Sequence, residues 1–298
     1  MPATVILNPY SNRWKAQEQA PEVKALLTKA GIEYEFLVME APEHGIQLAR
    51  EAVLKGNTPL IAAGGDGGIS EVVNGMMAAL GHNSLPIGPL GVIPMGTAND
   101  FTDGLGIPRD LEQAVGVIAA GKERVIDLGT VNGRFFDNNS AIGLEPVVTI
   151  ENIRLTWLKG VIRYMVSAVL AILKHPTWQA EMTWDGGSYE GSLALVSVGN
   201  SNRTGGVFHM TPDAIMDDGK LDFVYAPALS RFRMFQLLPK TQTGEHIHEP
   251  DIHMHRTEYL KIKTKNPTPI QADGEVFTES ATEIEFRIIP QGLRVFVP

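Results

Sequence analysis

The stretch from Pro59 to Met76 constrains this chain more than any other. A short apolar run, Leu60-Ile61-Ala62-Ala63, stops at Gly64-Gly65-Asp66-Gly67-Gly68 and resumes as Ile69-Ser70-Glu71-Val72-Val73-Asn74-Gly75-Met76. The pattern predicts a strand, a glycine hinge and the start of a helix. Paired glycines let the backbone take positive φ and pass close to a ligand, while the first turn of the following helix aims unpaired N–H groups at the hinge. Such a corner suits phosphate. A carboxylate at Asp66 would repel bare phosphate, so it makes sense there with a divalent cation or a transferable proton close by. The alternative is a tight strand-to-helix turn in which Asp66 acts only as an N-cap.

Segments on either side extend the pattern. Thr4 to Leu7 predicts a strand ended by Asn8-Pro9-Tyr10-Ser11-Asn12, whose polar groups could touch a phosphate or cap the next helix. A helix over Ala20 to Ala30 closed by Gly31, a strand over Glu33 to Met39 and a helix over Ile46 to Leu54 lead to the hinge. Beyond it, Leu90-Gly91-Val92-Ile93-Pro94 predicts a strand running into Met95-Gly96-Thr97-Ala98-Asn99-Asp100-Phe101, a turn that offers a hydroxyl, an amide and a carboxylate, or else a helix N-cap at Asn99 or Asp100. Leu111 to Ala120 predicts a helix and Arg124 to Leu128 a strand. Asp127 falls inside that apolar strand, where an unpaired charge is costly; it is either hydrogen-bonded structurally or helps hold a cation near Asp66 and Asp100. Regular β-α-β alternation with short connections predicts a mostly parallel sheet covered by helices, with ligands at the carboxyl ends of the strands.

After Leu128 the texture becomes β-rich. Phe135 to Ile142, Ala180 to Trp184, Leu193 to Val198, Leu221 to Tyr225, Tyr259 to Lys263 and Phe286 to Phe296 predict strands, with long helices only at Leu155 to Lys174 and about Arg231 to Leu238. A second domain follows from this. Within it, Pro212 to Asp222 packs four carboxylates around a tight turn, which suits a hard cation or is simply a turn. Gln271-Ala272-Asp273-Gly274-Glu275 reads alone as a type I′ hairpin turn. His246, His248, His253 and His255 form two His-x-His pairs; these could bind Zn²⁺, but a polar loop leading into a strand is the better account. Arg231-Phe232-Arg233-Met234-Phe235 and the Trp157 to Leu173 segment mix basic and large apolar residues, as a surface touching anionic lipid would and as core-facing amphipathic helices also do.

Composition narrows the partners. A net charge of −9 argues against non-specific nucleic-acid binding, and the absence of Cys excludes disulfides and thiolate chemistry. No secretory signal is evident at the N-terminus, and the Trp157 to Leu173 segment, interrupted by Lys159 and Arg163, is short of the roughly 20 residues that span a bilayer. The expectation is a cytoplasmic protein with no transmembrane segment.

Taken jointly, Gly64-Gly65-Asp66-Gly67 with Glu71 and Asn74, Gly96-Thr97-Ala98-Asn99-Asp100-Phe101, the Pro212 to Asp222 turn and Asp273-Gly274-Glu275 resemble the diacylglycerol kinase catalytic family, specifically its bacterial soluble lipid kinases. Asn8-Pro9-x-Ser11 is similar to that family's first loop. The resemblance implies an α/β fold of two domains: a three-layer nucleotide-binding domain over residues 1–127, to which 283–298 returns, and a β-sandwich lipid-substrate domain over 128–282. The active site is expected in the cleft between them. It further implies that Asn8, Ser11, Gly64, Gly65, Asp66, Gly67, Gly68, Ile69, Thr97 and Asn99 bind ATP. By the same resemblance Asp66, Asp100 and Asp127 orient a catalytic Mg²⁺, Glu275 accepts the substrate proton, and Asp218 with the carbonyls of Ile215 and Lys220 holds a second, structural Mg²⁺.

The chain departs from that family's pattern at four places. Gly68 stands where Thr is usual and Ser70 where Asn is usual. Met39 and Glu40 stand where a Thr is expected, and Asn12 replaces a Gly. The implied function is an ATP- and Mg²⁺-dependent lipid kinase acting on a diacylglycerol-like, phosphatidylglycerol-like or sphingoid lipid at a membrane surface, peripheral to the inner face, with a homodimer allowed. Two alternatives stand beside it. One is a regulatory nucleotide- or lipid-binding protein of the same fold; the other is a NAD kinase relative, which the Asp273-Gly274-Glu275 element and the Pro212 to Asp222 turn disfavour.

Overall fold

The apolar runs at the start of the chain become the buried centre of a parallel sheet. In the computed structural model, which describes residues 2–80, 85–158 and 160–298, every residue of β1 (Ala3–Leu7) is buried. It is followed by α1 (Lys15–Lys29), β2 (Tyr34–Val38), α2 (His44–Leu54), β3 (Leu60–Gly64), α3 (Asp66–Leu80), β4 (Ile87–Pro94), α4 (Asp100–Gly104), α5 (Leu111–Ala120) and β5 (Glu123–Val131). Strands covered on both faces read as unbroken apolar runs, and β1 and β3 have that character; β2 at the edge does not. The chain forms two compact units, Met1–Leu128 with Pro290–Pro298, and Gly129–Ile289.

In the first unit the strands lie parallel in the order β4-β3-β1-β2. On one face Val23 and Leu27 of α1 and Leu111, Val115 and Ile118 of α5 pack on Val5, Leu7, Ile61, Ala63 and Ile93. Elsewhere α2 and α3 cross closely at Gly75, where a Cβ would stand 2.3 Å from the Ile46 carbonyl oxygen. The chain leaves β1 toward β2 on one side and returns to β3 on the other. The order therefore reverses between β1 and β3, which is where α/β sheets open a crevice for ligands. Helix α1 starts at Lys15 rather than Ala20 and carries Pro21 inside it; the sequence places Pro at the helix start, but buried Ala16 anchors an earlier turn.

The second unit is antiparallel. Its strands are β6 (Arg134–Phe136), β7 (Asn139–Gly143), β8 (Trp178–Trp184), β9 (Gly187–Gly199), β10 (Leu221–Pro227), β11 (His253–Thr257), β12 (Tyr259–Ala272) and β13 (Glu275–Phe296), the last of which ends in the first unit. The pairing runs β11-β10-β9-β7-β12-β13, and β8 pairs with both β9 and β12 around a core that includes Phe136, Phe223, Leu260, Ile262 and Phe286. The strand expected over Phe135 to Ile142 is broken at Asp137-Asn138, for a reason that belongs to the site. The helix expected over Leu155 to Lys174 begins five residues later, as α7 (Gly160–Lys174), and is preceded by a helix the sequence reading did not offer, α6 (Leu144–Arg154); Lys159 lies outside the described residues. The β-branched run Val147-Val148-Thr149-Ile150 argues locally against α6, but burial of Leu144, Val148 and Thr149 overrides that weak propensity. Helix α8 (Arg231–Thr241) completes the unit.

The His-x-His pairs are separated in kind. His246 and His248 belong to a short 3-10 helix, Glu245–His248, whereas His253 and His255 stack on the Tyr225 ring at 4.8 and 5.9 Å between centroids. No helix among the described residues is long and apolar enough to cross a membrane.

Candidate active site

Three loops at the carboxyl ends of β1, β3 and β4 meet at the crevice. The Asn8–Ser11 loop reaches the hinge directly: the Ser11 hydroxyl oxygen accepts a hydrogen bond from Gly65 N at 3.1 Å. A Cβ on Gly64 would lie 3.2 Å from Asn8 Cβ, and one on Gly68 3.1 Å from it. The β4 loop comes closer still. A Cβ on Gly96 would sit 2.5 Å from Gly65 Cα and 2.6 Å from Asn99 Oδ1, so these two turns touch through bare backbone. Only glycine allows that approach. Asn99, left-handed at φ 56°, accepts from Gly96 N through Oδ1 at 2.9 Å and donates back to Gly96 O. Thr97 is exposed at the tip of this loop.

Helix α3 begins at Asp66, so its first-turn N–H groups and the positive end of its dipole point at this crevice. The Ile69 side chain is fully buried and its N–H donates to Gly65 O, so this residue shapes the turn behind the crevice. The close Asn8 contact also gives Gly68 a structural reason: a side chain there would have to displace Asn8. Of the remaining departures from the family pattern, Met39 is buried, and Glu40 N donates to His44 Nδ1.

Asp66 bridges two of the loops. Its Oδ1 accepts from Phe101 N at 3.0 Å. Burial raises its carboxyl above the ordinary value, against the backbone N–H groups of Phe101, Asn99 and Asp100, which hold it down. A carboxylate disfavoured by burial is a good partner for an arriving cation. Asp100 is buried in the first turn of α4, and Asp127 is buried with Oδ1 accepting from Gln291 N at 2.7 Å, which ties down a left-handed residue. Among the described residues no three His, Cys, Asp or Glu converge as metal ligands. Asp66, Asp100 and Asp127 therefore do not come together as a preformed cation site; a Mg²⁺ carried by nucleotide phosphates would need only one or two carboxylates, the rest of its octahedron coming from phosphate and water. Arg109, which the sequence reading passed over, clamps the same loop: it donates to Ala98 O at 2.6 Å and pairs with Asp103 at 2.7 Å.

In the second unit the Asp273-Gly274 pair joins β12 to β13 with φ of 48° and 81°, as a type I′ turn requires. The two carboxylates of this turn have different roles. Asp273 is buried and accepts from the backbone N–H groups of Asp137, Asn138 and Asn139 at 3.2, 3.0 and 3.1 Å. These bonds explain the break between β6 and β7: side-chain oxygens, not a neighbouring strand, satisfy those amides. Glu275 is partly exposed and pairs with Arg134 at 3.0 Å.

Two of the four carboxylates in the Pro212 to Asp222 turn share one arginine. Asp218 Oδ1 accepts from Lys220 N at 3.0 Å and Oδ2 pairs with Arg256 at 2.5 Å, while Arg256 Nε also reaches buried Asp222 at 3.2 Å. Ile215 is exposed beside it. A cation on Asp218 and the carbonyls of Ile215 and Lys220, as the resemblance implies, would share the Asp218 carboxylate with Lys220 N and Arg256.

A second acid went unnoticed in the sequence. Glu145, in the first turn of α6, is buried; its Oε1 accepts from Asn139 Nδ2 at 2.9 Å and Gln271 Nε2 at 3.3 Å. Burial pushes its carboxyl up to about 7, against hydrogen bonds from Asn139, Ser197 and Gln271. Glu145 also helps line an apolar cavity of about 100 Å³ walled by Leu144, Val148, Ala168, Phe208 and Met234. Only the fold brings these residues together.

A raised acid pKa has a defined sign. Below the ordinary value of 4.5 both folded and unfolded chains are protonated at Glu145; between 4.5 and about 7 the folded chain holds the extra proton, so its stability falls as pH rises across that window. The loss is on the order of 3 kcal/mol. We expect Glu145→Gln to gain on the wild type between pH 5 and pH 8.5, by roughly 5–10 °C in melting temperature. Parallel melting curves at the two pH values would refute this.

Residues 2–131 match the diacylglycerol kinase catalytic domain, and residues 139–297 match the YegS C-terminal NAD kinase beta sandwich-like domain. The chain belongs to the diacylglycerol kinase catalytic family. It is a kinase of that family's bacterial branch, with the two-domain α/β and β-sandwich architecture the sequence predicts. A diacylglycerol kinase of Staphylococcus carnosus is 29% identical over 297 residues, covering 99% of this chain and 95% of its own. Another from Bacillus subtilis is 30% identical over 275 residues, covering 92% and 89%. Among solved structures, a diacylglycerol kinase from Bacillus anthracis shares the fold at a TM-score of 0.80 and 24% identity, covering 100% of this chain and 97% of that one. Yeast NADH kinase shares it more distantly, at 0.56 and 12%, covering 100% and 84%.

Proposed function

We propose that this family member is an ATP- and Mg²⁺-dependent lipid kinase that transfers the γ-phosphoryl group to a hydroxyl of a diacylglycerol-like, phosphatidylglycerol-like or sphingoid lipid. The observation that carries the reading is the backbone cradle at the β1/β3 crevice, where Gly64–Gly68, Gly96–Asn99 and Asn8–Ser11 close around the N-terminus of α3. Its amides bind the phosphates, Ser11 and Thr97 add hydroxyls, and Asp66 orients the Mg²⁺ that the nucleotide carries. That ion, when bound, neutralises the charge developing on the phosphoryl oxygens. Glu275 takes the proton of the lipid hydroxyl as its oxygen forms the new bond to the γ-phosphorus and the bond from that phosphorus to ADP breaks.

The lipid class is supported by the apolar cavity in the second unit, which accommodates an alkyl segment and offers almost no polar surface. Peripheral contact with a membrane is supported by exposed Ile153, Trp157, Ile162 and Phe232, with Arg154 and Arg231 also exposed beside them. Aromatic and basic residues together suit an anionic interface. The test is transfer from γ-labelled ATP across a panel of these lipids in mixed micelles. One labelled product is expected; calorimetric ATP binding with no product from any lipid would favour the regulatory alternative.

The cradle carries a prediction of its own. Gly96→Ala forces backbone against backbone, because the nearest atom is Gly65 Cα and not a flexible side-chain end. Overpacking of that kind costs about 1–3 kcal/mol. We expect ATP affinity by calorimetry to fall at least about tenfold, the factor that ~1.4 kcal/mol of lost binding corresponds to. An unchanged Kd would show that the two turns do not bind phosphate as a unit.

A further inference from the structure

The turn that presents Glu275 is held from behind. Gly274 N donates to Gln271 Oε1 at 2.9 Å, and Gln271 Nε2 donates to Asn139 Oδ1 at 3.1 Å and Glu145 Oε1 at 3.3 Å. Asn139 closes the circuit: its Nδ2 donates to Glu145 Oε1, its N–H to Asp273 Oδ1, and its carbonyl accepts from Asp273 N. Both donors that orient the two amide side chains thus converge on one oxygen of Glu145, while Glu145 Oε2 has no hydrogen-bond partner among the described residues. Gln271 and Asn139 are each buried, as is Glu145. An amide side chain has no preferred flip of its own; which end of Gln271 faces Gly274 is decided by where its NH₂ finds an acceptor. Asn139 Oδ1 and Glu145 Oε1 are those acceptors, and Glu145, which also fixes the Asn139 amide, acts from a different element, the first turn of α6.

We infer that Glu145 is a positioning residue for Glu275, acting through Gln271 to fix the Asp273-Gly274 turn. This rests on the reading of Glu275 as proton acceptor. Positioning matters there because displacement of a catalytic group by about 1 Å costs on the order of 100-fold in rate. An acid held this way contributes without touching the substrate. Oε1 alone does the holding, so the neutral isostere should substitute, since the carbonyl oxygen of Gln can accept the same two donors.

The experiment compares Glu145→Leu, Gln271→Leu and Glu145→Gln in the full chain, with ATP binding by calorimetry as the folding control. Glu145→Leu and Gln271→Leu are expected to lower kcat on the best lipid of the panel by roughly 10–100-fold, with KM for ATP unchanged. The Gly274 amide is expected to exchange at least about tenfold faster by NMR, the factor matching ~1.4 kcal/mol of lost protection. Glu145→Gln should restore most of the rate and the Gly274 protection. Wild-type kcat together with an unchanged Gly274 exchange rate in Glu145→Leu overturns the inference, and so does failure of Glu145→Gln to restore either. A Glu275→Gln variant with full activity would overturn the functional reading instead, and the Gly274 exchange rates would still decide whether Glu145 holds the turn.

Discussion

Glu275→Gln is expected to lose phosphoryl transfer by a factor of about 10²–10⁴, the range that removal of a positioned base produces. A lipid hydroxyl is a poor nucleophile at neutral pH, and Gln cannot take its proton. The substitution is otherwise mild. Arg134 remains beside the new carbonyl oxygen, and the original ion pair is partly exposed, with the Glu275 side chain 42% accessible, so folding should change little. ATP binding, which we propose for the loops of the first unit, should persist. Initial rates with labelled ATP, calorimetric Kd and a melting curve measure the three quantities separately. Activity within threefold of wild type would remove Glu275 from the chemistry.

Two residues away, Asp273→Ala is expected to act almost entirely on stability. It strips the acceptor from three backbone N–H groups at Asp137, Asn138 and Asn139 in a buried corner. Leaving a buried donor unsatisfied costs about 1–3 kcal/mol each, and the three share one carboxylate, so a combined loss of roughly 3–6 kcal/mol is reasonable. That corresponds to a fall of about 10–20 °C in the unfolding of the second unit. Asp273→Asn, which keeps an oxygen facing Asn138 and Asn139, should lose less. A melting temperature within 2 °C of wild type for the Ala variant would mean that water satisfies those amides instead.

The contrast between these neighbours shows what was legible in the residues. Asp273-Gly274-Glu275 could be read as a type I′ turn, and its φ angles agree. Nothing local distinguishes a carboxylate that caps a distant strand break from one that faces solvent, because both suit such a turn. Asp127 and Asp218 make the same point. Composition offers each to a cation, and it does not announce that Asp127 also accepts from Gln291 N or that Asp218 is held by Lys220 N and Arg256. Arg109 and Glu145 left no motif at all. A lone Arg after a proline and a Glu at the start of a β-branched helix become notable only beside Asp103 and Gln271.

What the sequence by itself determined was the corner at Asp66 and the alternation around it. Glycine clusters and period-two or helical patterning act within a few residues, so a buried parallel strand, a hinge and a helix N-terminus are written locally, as is the change to β-rich texture after Leu128. Tertiary structure alone decided the close approach of Gly65 to Gly96, the formation of α6 ahead of α7, and which backbone and side-chain groups each buried acid receives. These depend on approach distances between segments far apart in the chain, where a few tenths of an ångström separate a close backbone contact from a collision and a distant amide supplies a buried acid with its partner.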